Sequence, residues 1–465
     1  MIELDNVSFQ YSESRHGVKK INLKIKTGEC IVLTGKSGCG KTTVIRLING
    51  LAPRYYKGTK TGDIYISGKN IETMPSYDIG RIVGSIFQDP KRQFFSSELE
   101  GEIAFGCENY GFSQLDIRKR TEDAIYKMGL ENIGRISLDL LSSGEKQRTA
   151  VASVYAMQPR IFVFDEPTAN LDKDGIVQMK NILMELKESG YTLLIAEHRI
   201  SWIGALADRY LYMEDGQIRK QYSASELSAI SDSERISKGL RYTVDTAFPK
   251  MPAPSRTNPI AVKAERIFLI KNKKQILENV DLVVNEKSIT AITGDNGIGK
   301  TTLALILSGL QKIRKGSVYI NGEKTGYRKL RNTIYYCSND TGTQFFTESV
   351  SKELLLGLEF NTTNLEMARN LLRNMQLYDY KDSHPASLSG GQKQRLAVCC
   401  ALLSGKNILI LDEPTGGLDA ENMLLIAKAL KNAKNRGKTI LLITHDDEFM
   451  NACCEYRLNM DKVQK

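Results

Sequence analysis

Gly35-Lys36-Ser37-Gly38-Cys39-Gly40-Lys41-Thr42 decides the fold of this chain. It fits G-x-x-x-x-G-K-[ST], a loop whose backbone N–H groups close around a polyphosphate. Before it, Cys30-Ile31-Val32-Leu33 is a short apolar run of strand type. After it, Thr43-Val44-Ile45-Arg46-Leu47-Ile48 continues as a helix toward Gly50. Strand, glycine-rich turn and helix place a helix N-terminus, with about half a positive charge, at the phosphates. Gly35, Ser37, Gly38, Gly40 and Thr43 are expected at the ligand, Lys41 at the β- and γ-phosphates, and the Thr42 hydroxyl on Mg2+. The loop recurs as Gly294-Asp295-Asn296-Gly297-Ile298-Gly299-Lys300-Thr301, with Thr302 after it and the strand-type run Ile289-Thr290-Ala291-Ile292 before it.

The chain has 465 residues, room for two or three domains, and its 41% apolar and 25% charged content is that of a soluble globular protein. No apolar run approaches the roughly 20 residues of a membrane helix, and the N-terminus has no signal-peptide pattern. Eight cysteines, two adjacent pairs among them and no C-x-x-C, argue for reduced thiols rather than zinc or a disulfide scaffold. A net charge of +10 permits an anionic partner. With no basic run interleaved with aromatics, a solvated basic surface is the better reading, and no nucleic acid is expected.

Short apolar runs at Ile161–Phe164 and Leu193–Ala196 suit strands buried on both faces, and polar stretches with scattered apolar positions, such as 98–140, suit helices. The order of elements implies an α/β fold with a largely parallel sheet. The same order then repeats. Lys41 and Lys300 lie 259 positions apart, whereas Ser142 and Ser389, Asp165 and Asp412, and His198 and His445 each lie 247 apart. The second copy has therefore lost about twelve residues (259 − 247) between loop and signature. Pro249, Pro252, Pro254 and Pro259 mark a semi-extended connection. The expected domains are 1–225 and 259–465, with 226–258 as linker.

Each copy has an apolar strand ending in two acids, Asp165-Glu166 and Asp412-Glu413. Paired carboxylates at a strand end are costly unless a metal or proton transfer compensates. Asp165 and Asp412 suit Mg2+ through its water shell, and Glu166 and Glu413 suit polarisation of an attacking water. His198 and His445, each 33 residues after its Asp, suit contact with a γ-phosphate.

Leu141-Ser142-Ser143-Gly144-Glu145 and Leu388-Ser389-Gly390-Gly391-Gln392 each open a helical stretch, which makes a second anion site. Leu-Ser-Gly-Gly-Gln upstream of an Asp-Glu strand, behind a phosphate loop, resembles the ATP-binding cassette (ABC) ATPases, and nearly the whole chain carries the likeness twice. The resemblance implies ATP and Mg2+ as cofactors. It also implies two P-loop domains, each with a mainly parallel sheet core, an antiparallel β subdomain and a helical subdomain. Gln88 is then the Q-loop glutamine at Mg2+, Asn170-Leu171-Asp172 and Gly417-Leu418-Asp419 are D-loops, and Tyr11 stacks on adenine. The family's head-to-tail pairing puts each ATP between one phosphate loop and the opposite signature, which in this chain would be an intrachain pseudo-dimer.

Phe87 to Phe95, with its second glutamine Gln93, together with Glu102-Ile103-Ala104-Phe105-Gly106, resembles the ATPases of energy-coupling factor (ECF) vitamin and metal-ion importers, and Gln344-Phe345-Phe346 repeats the pattern in the second copy. That likeness implies two integral membrane partners, a transmembrane coupling protein and a substrate-binding subunit. It implies a peripheral location on the cytoplasmic face of the membrane. The competing readings are a soluble tandem ABC ATPase acting on ribosomes and a DNA-repair ATPase. The short proline-containing linker disfavours the first, and the lack of an insertion between loop and signature disfavours the second.

Three departures from the family pattern stand out. Asn339 falls opposite Gln88; Ile270 falls opposite Tyr11 when the phosphate loops are aligned; and Ser143 and Glu145 replace the glycine and glutamine of the second signature. All three fall in one composite site, so the first loop is expected to turn over ATP and the second mainly to bind it.

Overall fold

The computed structural model describes residues 1–12, 17–133, 136–243, 246, 248–271 and 274–463. It divides into two compact units, Met1–Thr246 and Ala247–Lys465.

In the first unit, Ile2–Tyr11 pairs antiparallel with Gly17–Ile25 on one side and Gly58–Ile66 on the other, forming a four-stranded sheet with Lys69–Asn70. A second sheet runs Gln217–Tyr222, Arg209–Glu214, Cys30–Gly35, Thr192–Ala196, Ile161–Asp165, Val83–Ile86. All its neighbours are parallel except the edge pair Gln217–Tyr222 and Arg209–Glu214. Cys30–Gly35 and Thr192–Ala196 are buried along their whole length. That is why they read as continuous apolar runs rather than alternating ones. The helices Leu99–Asn109, Gln114–Lys127 and Ser143–Ala156 pack together, with Ile103, Ala124 and Val151 in the core.

The second unit repeats the plan. Lys274–Asn285, Ile260–Lys271, Lys315–Ile320 and Glu323–Lys324 form the antiparallel sheet. A five-stranded, all-parallel sheet runs Ile334–Cys337, Ile408–Asp412, Thr439–Ile443, Ile289–Thr293, Tyr456–Asn459. In both units the strand carrying the histidine turn lies between the phosphate-loop strand and the acid strand. Three strand ends therefore converge at the carboxyl edge, where ligands bind in open parallel sheets.

The strand registers correct one expectation. Asn6 and Arg266 are both left-handed bulge residues (φ 48° and 50°), and Ile2 and Val262 both pair with the strand ends Ile66 and Ile320. These pairs are 260 apart, not 259. Lys20 and Asn279, left-handed in the next strand, are 259 apart. One residue is lost in the hairpin between them, so Lys271, not Ile270, stands in the place of Tyr11, and Phe268 stands in the place of Ser8.

Residues 226–258 are not uniformly extended. Ser223 and Ser231 cap the helices Ala224–Ser228 and Asp232–Ser237, and Leu240, 1% exposed, belongs to the first unit's core. Further on, Pro252 O accepts from Arg457 N (2.9 Å) and Ser255 N donates to Asn285 Oδ1 (2.9 Å), which pins this stretch to the second unit.

Candidate active sites

The first phosphate loop leaves Cys30–Gly35 and enters the helix Lys41–Ile48 through Gly40. Gly40 has φ 107°, and a Cβ there would lie 2.7 Å from Val18 Cγ1, so only glycine fits this helix entry. Lys41 is buried. Its Nζ donates to Gly35 O and Lys36 O, both at 3.1 Å, and lies 3.2 Å from His198 Nε2. Ser37 Oγ lies 3.5 Å from the same nitrogen.

Thr42 Oγ1 donates to Asp165 Oδ1 at 3.0 Å. Burial, with the adjacent Glu166 carboxylate, pushes Asp165 up to about 6. A desolvated carboxylate beside a hydroxyl is a hard oxygen donor pair whose charge lacks full compensation. That arrangement fits Mg2+. Glu166, in left-handed conformation at φ 49°, is held from two sides. Gln88 Nε2 donates to its Oε2 at 2.8 Å, and His198 Nε2 stands 3.3 Å from its Oε1. The loop, Thr42, Asp165, Glu166, Gln88 and His198 thus form one cluster. Tyr11 is at its edge, its hydroxyl 3.2 Å from Thr43 Oγ1 and accepting from Arg46 at 3.0 Å.

In the second unit Lys300 Nζ donates to Gly294 O (2.6 Å) and Asp295 O (2.8 Å), and Thr301 Oγ1 to Asp412 Oδ2 (2.8 Å). His445 Nε2 is 3.8 Å from Glu413 Oε1, farther than its counterpart. Tyr336 adds a hydrogen bond to Asp412 Oδ2 at 3.1 Å. The corresponding Ser85 instead accepts from Asn49 (3.1 Å). The Thr301–Asp412 pair also suits Mg2+, but here a phenol shares the carboxylate.

A family model described as ABC transporter matches residues 18–169 and 277–416. The chain belongs to the ABC transporter family. Both units are ABC ATPase domains, which bind and hydrolyse ATP. A Treponema denticola protein named as an ABC transporter ATP-binding protein is 38% identical over 98% of this chain and 94% of its own. A Bacillus subtilis protein named as an HMP/thiamine import ATP-binding protein is 28% identical, over 97% of this chain and 88% of its own. A solved archaeal ribosome recycling factor superposes with a TM-score of 0.65 at 20% identity, covering 98% of this chain and 87% of that one, a likeness of fold.

The two signatures of this tandem ABC ATPase are built alike. Ser142 accepts from Glu145 N (3.3 Å) while the Glu145 carboxylate accepts from Ser142 N (2.7 Å). Ser389 and Gln392 form the same reciprocal pair. Glu145 is therefore part of a capping box that starts the helix Ser143–Ala156. Nothing lies within 4 Å of a Cβ built on Gly144, Gly390 or Gly297, so within each unit those positions face open space. The serine at 143 costs its own helix nothing, and the charge of Glu145 is its main difference from Gln392.

Several contacts around these sites were not foreseen from the sequence. Gln93 braces the Q-loop, accepting from Phe87 N (3.3 Å) and donating to Ser85 O (3.1 Å). The buried Glu102 carboxylate accepts from Phe95 N and Ser96 N, both at 2.8 Å, and buried Glu353 does the same for Phe346 N and Thr347 N. The repetition of an acid seven residues after each exposed phenylalanine (95 to 102, 346 to 353) was a usable signal.

Cys39 gives a direct probe of the first loop, since its sulfur lies 3.9 Å from Lys41 Nζ. Maleimide treatment is expected to abolish ATP binding at this loop, slowly because the thiol is 5% exposed, and bound ATP protects it. Cys39→Ser should bind ATP normally and resist the reagent. Equal sensitivity of that variant in a fluorescent-nucleotide assay would move the effect to another cysteine.

Proposed function

We propose that this chain is the ATP-hydrolysing subunit of an ECF-type importer for a vitamin or metal ion, acting with Mg2+ at the cytoplasmic face of a membrane. Its domains, 1–225 and 259–465 joined by 226–258, would pair head to tail and drive a transmembrane coupling protein and a substrate-binding membrane subunit.

The observation that carries this reading is the surface beside the first Q-loop. A groove of about 630 Å3 runs past Gln93, Phe95, Phe105, Met157 and Tyr55. Phe95 is 75% exposed, yet its backbone is fixed by Glu102 and its ring stacks on Phe105 at 4.8 Å. The second unit holds Phe346, 80% exposed, by the matching Glu353 bond. An exposed aromatic beside an apolar groove marks a candidate docking point for a partner. Two exposed aromatics, one per ATPase domain, suit helices of a membrane scaffold. The import role that the B. subtilis relative is named for supports the same reading. Among the described residues no helix is long and apolar enough to cross a membrane.

At the first loop Glu166 would polarise the attacking water, with Gln88 and His198 holding its carboxylate in place, and Mg2+ on Thr42 and Asp165 would neutralise phosphate charge. The second loop would bind ATP with slower turnover. Lys271 replaces the base-stacking Tyr11, Asn339 is a methylene shorter than Gln88, and Tyr336 occupies Asp412. The signature assigned to that site carries the Glu145 charge.

The test is mild-detergent purification of the tagged full chain from membranes. Two integral membrane proteins are expected at stoichiometric yield, with ATPase activity stimulated in their presence. Recovery with ribosomes or DNA instead would overturn the transport reading.

A further inference from the structure

The turn after Glu166 is tied to the histidine turn in the first unit by a glutamate and an arginine, at places where the second unit has Thr444 and Asp446. Glu197 is 2% exposed and fully used. Its Oε2 accepts from Thr168 Oγ1 (2.6 Å), and its Oε1 accepts from His198 N (2.8 Å) and Arg199 N (3.1 Å). Arg199, half-buried, sends its guanidinium back across the same gap, donating to Thr168 O (3.2 Å) and Ala169 O (3.0 Å). Five hydrogen bonds therefore join residues 197–199 to one another and to 168–169. Residues 168–169 lead into Asp172, which caps the helix Lys173–Glu188 through Gly175 N (2.8 Å).

The second unit places a carboxylate on the equivalent threonine but brings it from elsewhere. Thr415 Oγ1 donates to Asp446 Oδ2 at 2.8 Å, and Asp446 lies after its histidine, not before. Its other oxygen caps the helix Asp447–Cys453 through Phe449 N (3.0 Å). Position 444, which matches Glu197, is threonine, and position 446, which matches Arg199, is this aspartate. Thr415 thus shares its carboxylate with a helix start, whereas Thr168 shares Glu197 with the backbone N–H groups of His198 and Arg199. The following residues are Gly416-Gly417 in place of Ala169-Asn170, so the second turn is also the freer chain.

We propose that Arg199, with Glu197, is a positioning residue that couples His198 to the turn Glu166–Asp172, so that nucleotide contact at His198 is passed to the residues beyond the catalytic glutamate. A shift of the 197–199 backbone must carry residues 168–169 with it, because the alternative is to orphan a buried carboxylate and a guanidinium. His198 already touches Lys41, Ser37 and Glu166, so it senses whatever occupies the loop.

The inference rests on reading Gly35–Thr42 as a site for ATP. The experiment is hydrogen exchange on the full chain, with and without Mg2+ and a non-hydrolysable ATP analogue. In the wild type, the analogue is expected to slow exchange at 35–42, 196–200 and 166–172. In Arg199→Gln, 35–42 and 196–200 keep their response while 166–172 loses most of it, and 413–419 behaves as in the wild type. ATP turnover falls about tenfold with KM unchanged, as expected when a group is misplaced rather than a contact with substrate lost. Arg199→Lys, able to keep one of the two carbonyl bonds, falls between. A wild-type response at 166–172 in Arg199→Gln would overturn the coupling, as would a rise in KM matching the fall in kcat. Lack of protection at 35–42 in the wild type would overturn the ATP-site reading, and this inference with it.

Discussion

Glu166→Gln is expected to reduce ATP hydrolysis by the assembled chain by about 10²–10⁴-fold, the range over which a positioned base contributes. Glu413→Gln is expected to leave most of the rate. Both substitutions keep side-chain shape and remove only the charge, so a difference between them reports chemistry, not folding. The physical basis lies in the surroundings. Glu166 sits between the Gln88 amide at 2.8 Å and His198 at 3.3 Å. Glu413 faces its histidine at 3.8 Å, with the shorter Asn339 in place of the glutamine. The neighbouring metal-side carboxylates differ too. Asp165 is bonded by Thr42, whereas one oxygen of Asp412 takes both Thr301 and the Tyr336 phenol. Steady-state phosphate release, with thermal melting as a folding control, makes the comparison. Equal losses in the two variants would remove the functional asymmetry.

The second large effect is expected on assembly. Combined Phe95→Asp and Phe346→Asp should abolish copurification with membrane partners while ATP binding persists. Buried aromatic anchors at interfaces are worth about 2 kcal/mol or more each on truncation. Two of them amount to about a thousandfold in affinity at ~1.4 kcal/mol per decade, before the cost of burying two carboxylates. The rings are 75% and 80% exposed, so each unit loses little of its own core. The backbone bonds from Glu102 and Glu353 go to main-chain N–H groups and survive the substitutions. A double variant that still holds its membrane partners at wild-type strength would show that this surface is not where they dock.

How much of this was legible in the sequence follows from the kind of interaction. The phosphate loops, the acid pairs and the histidines announce themselves because each needs a fixed residue type next to a buried strand or helix start. Only glycine enters the helix at Gly40, only a hydroxyl and a carboxylate make the Thr42–Asp165 pair, and both lie beside continuous apolar runs. The duplication was visible for the same reason, as equal spacings between such residues.

Other features depend on distances that sequence spacing does not carry. Losing one residue in a hairpin exchanged Ile270 for Lys271 opposite Tyr11, because side chains in a strand alternate and a single-residue slip moves them all to the other face. Glu145 reads in the sequence only as a charge at the first signature, and the folded chain shows that the same carboxylate also caps its own helix. Thr168 and Thr415 receive carboxylates from opposite sides of a histidine, Glu197 and Asp446, a substitution invisible to any residue-by-residue comparison. Two ABC ATPase domains and their nucleotide loops could be read from the residues alone, because local motifs and strand burial are written in adjacent residues. The sequence also marked one site as the weaker, but which side chains meet at each site came from the folded chain, because those contacts join strand ends more than a hundred residues apart, such as Thr42 and Asp165 in the first unit and Thr301 and Asp412 in the second.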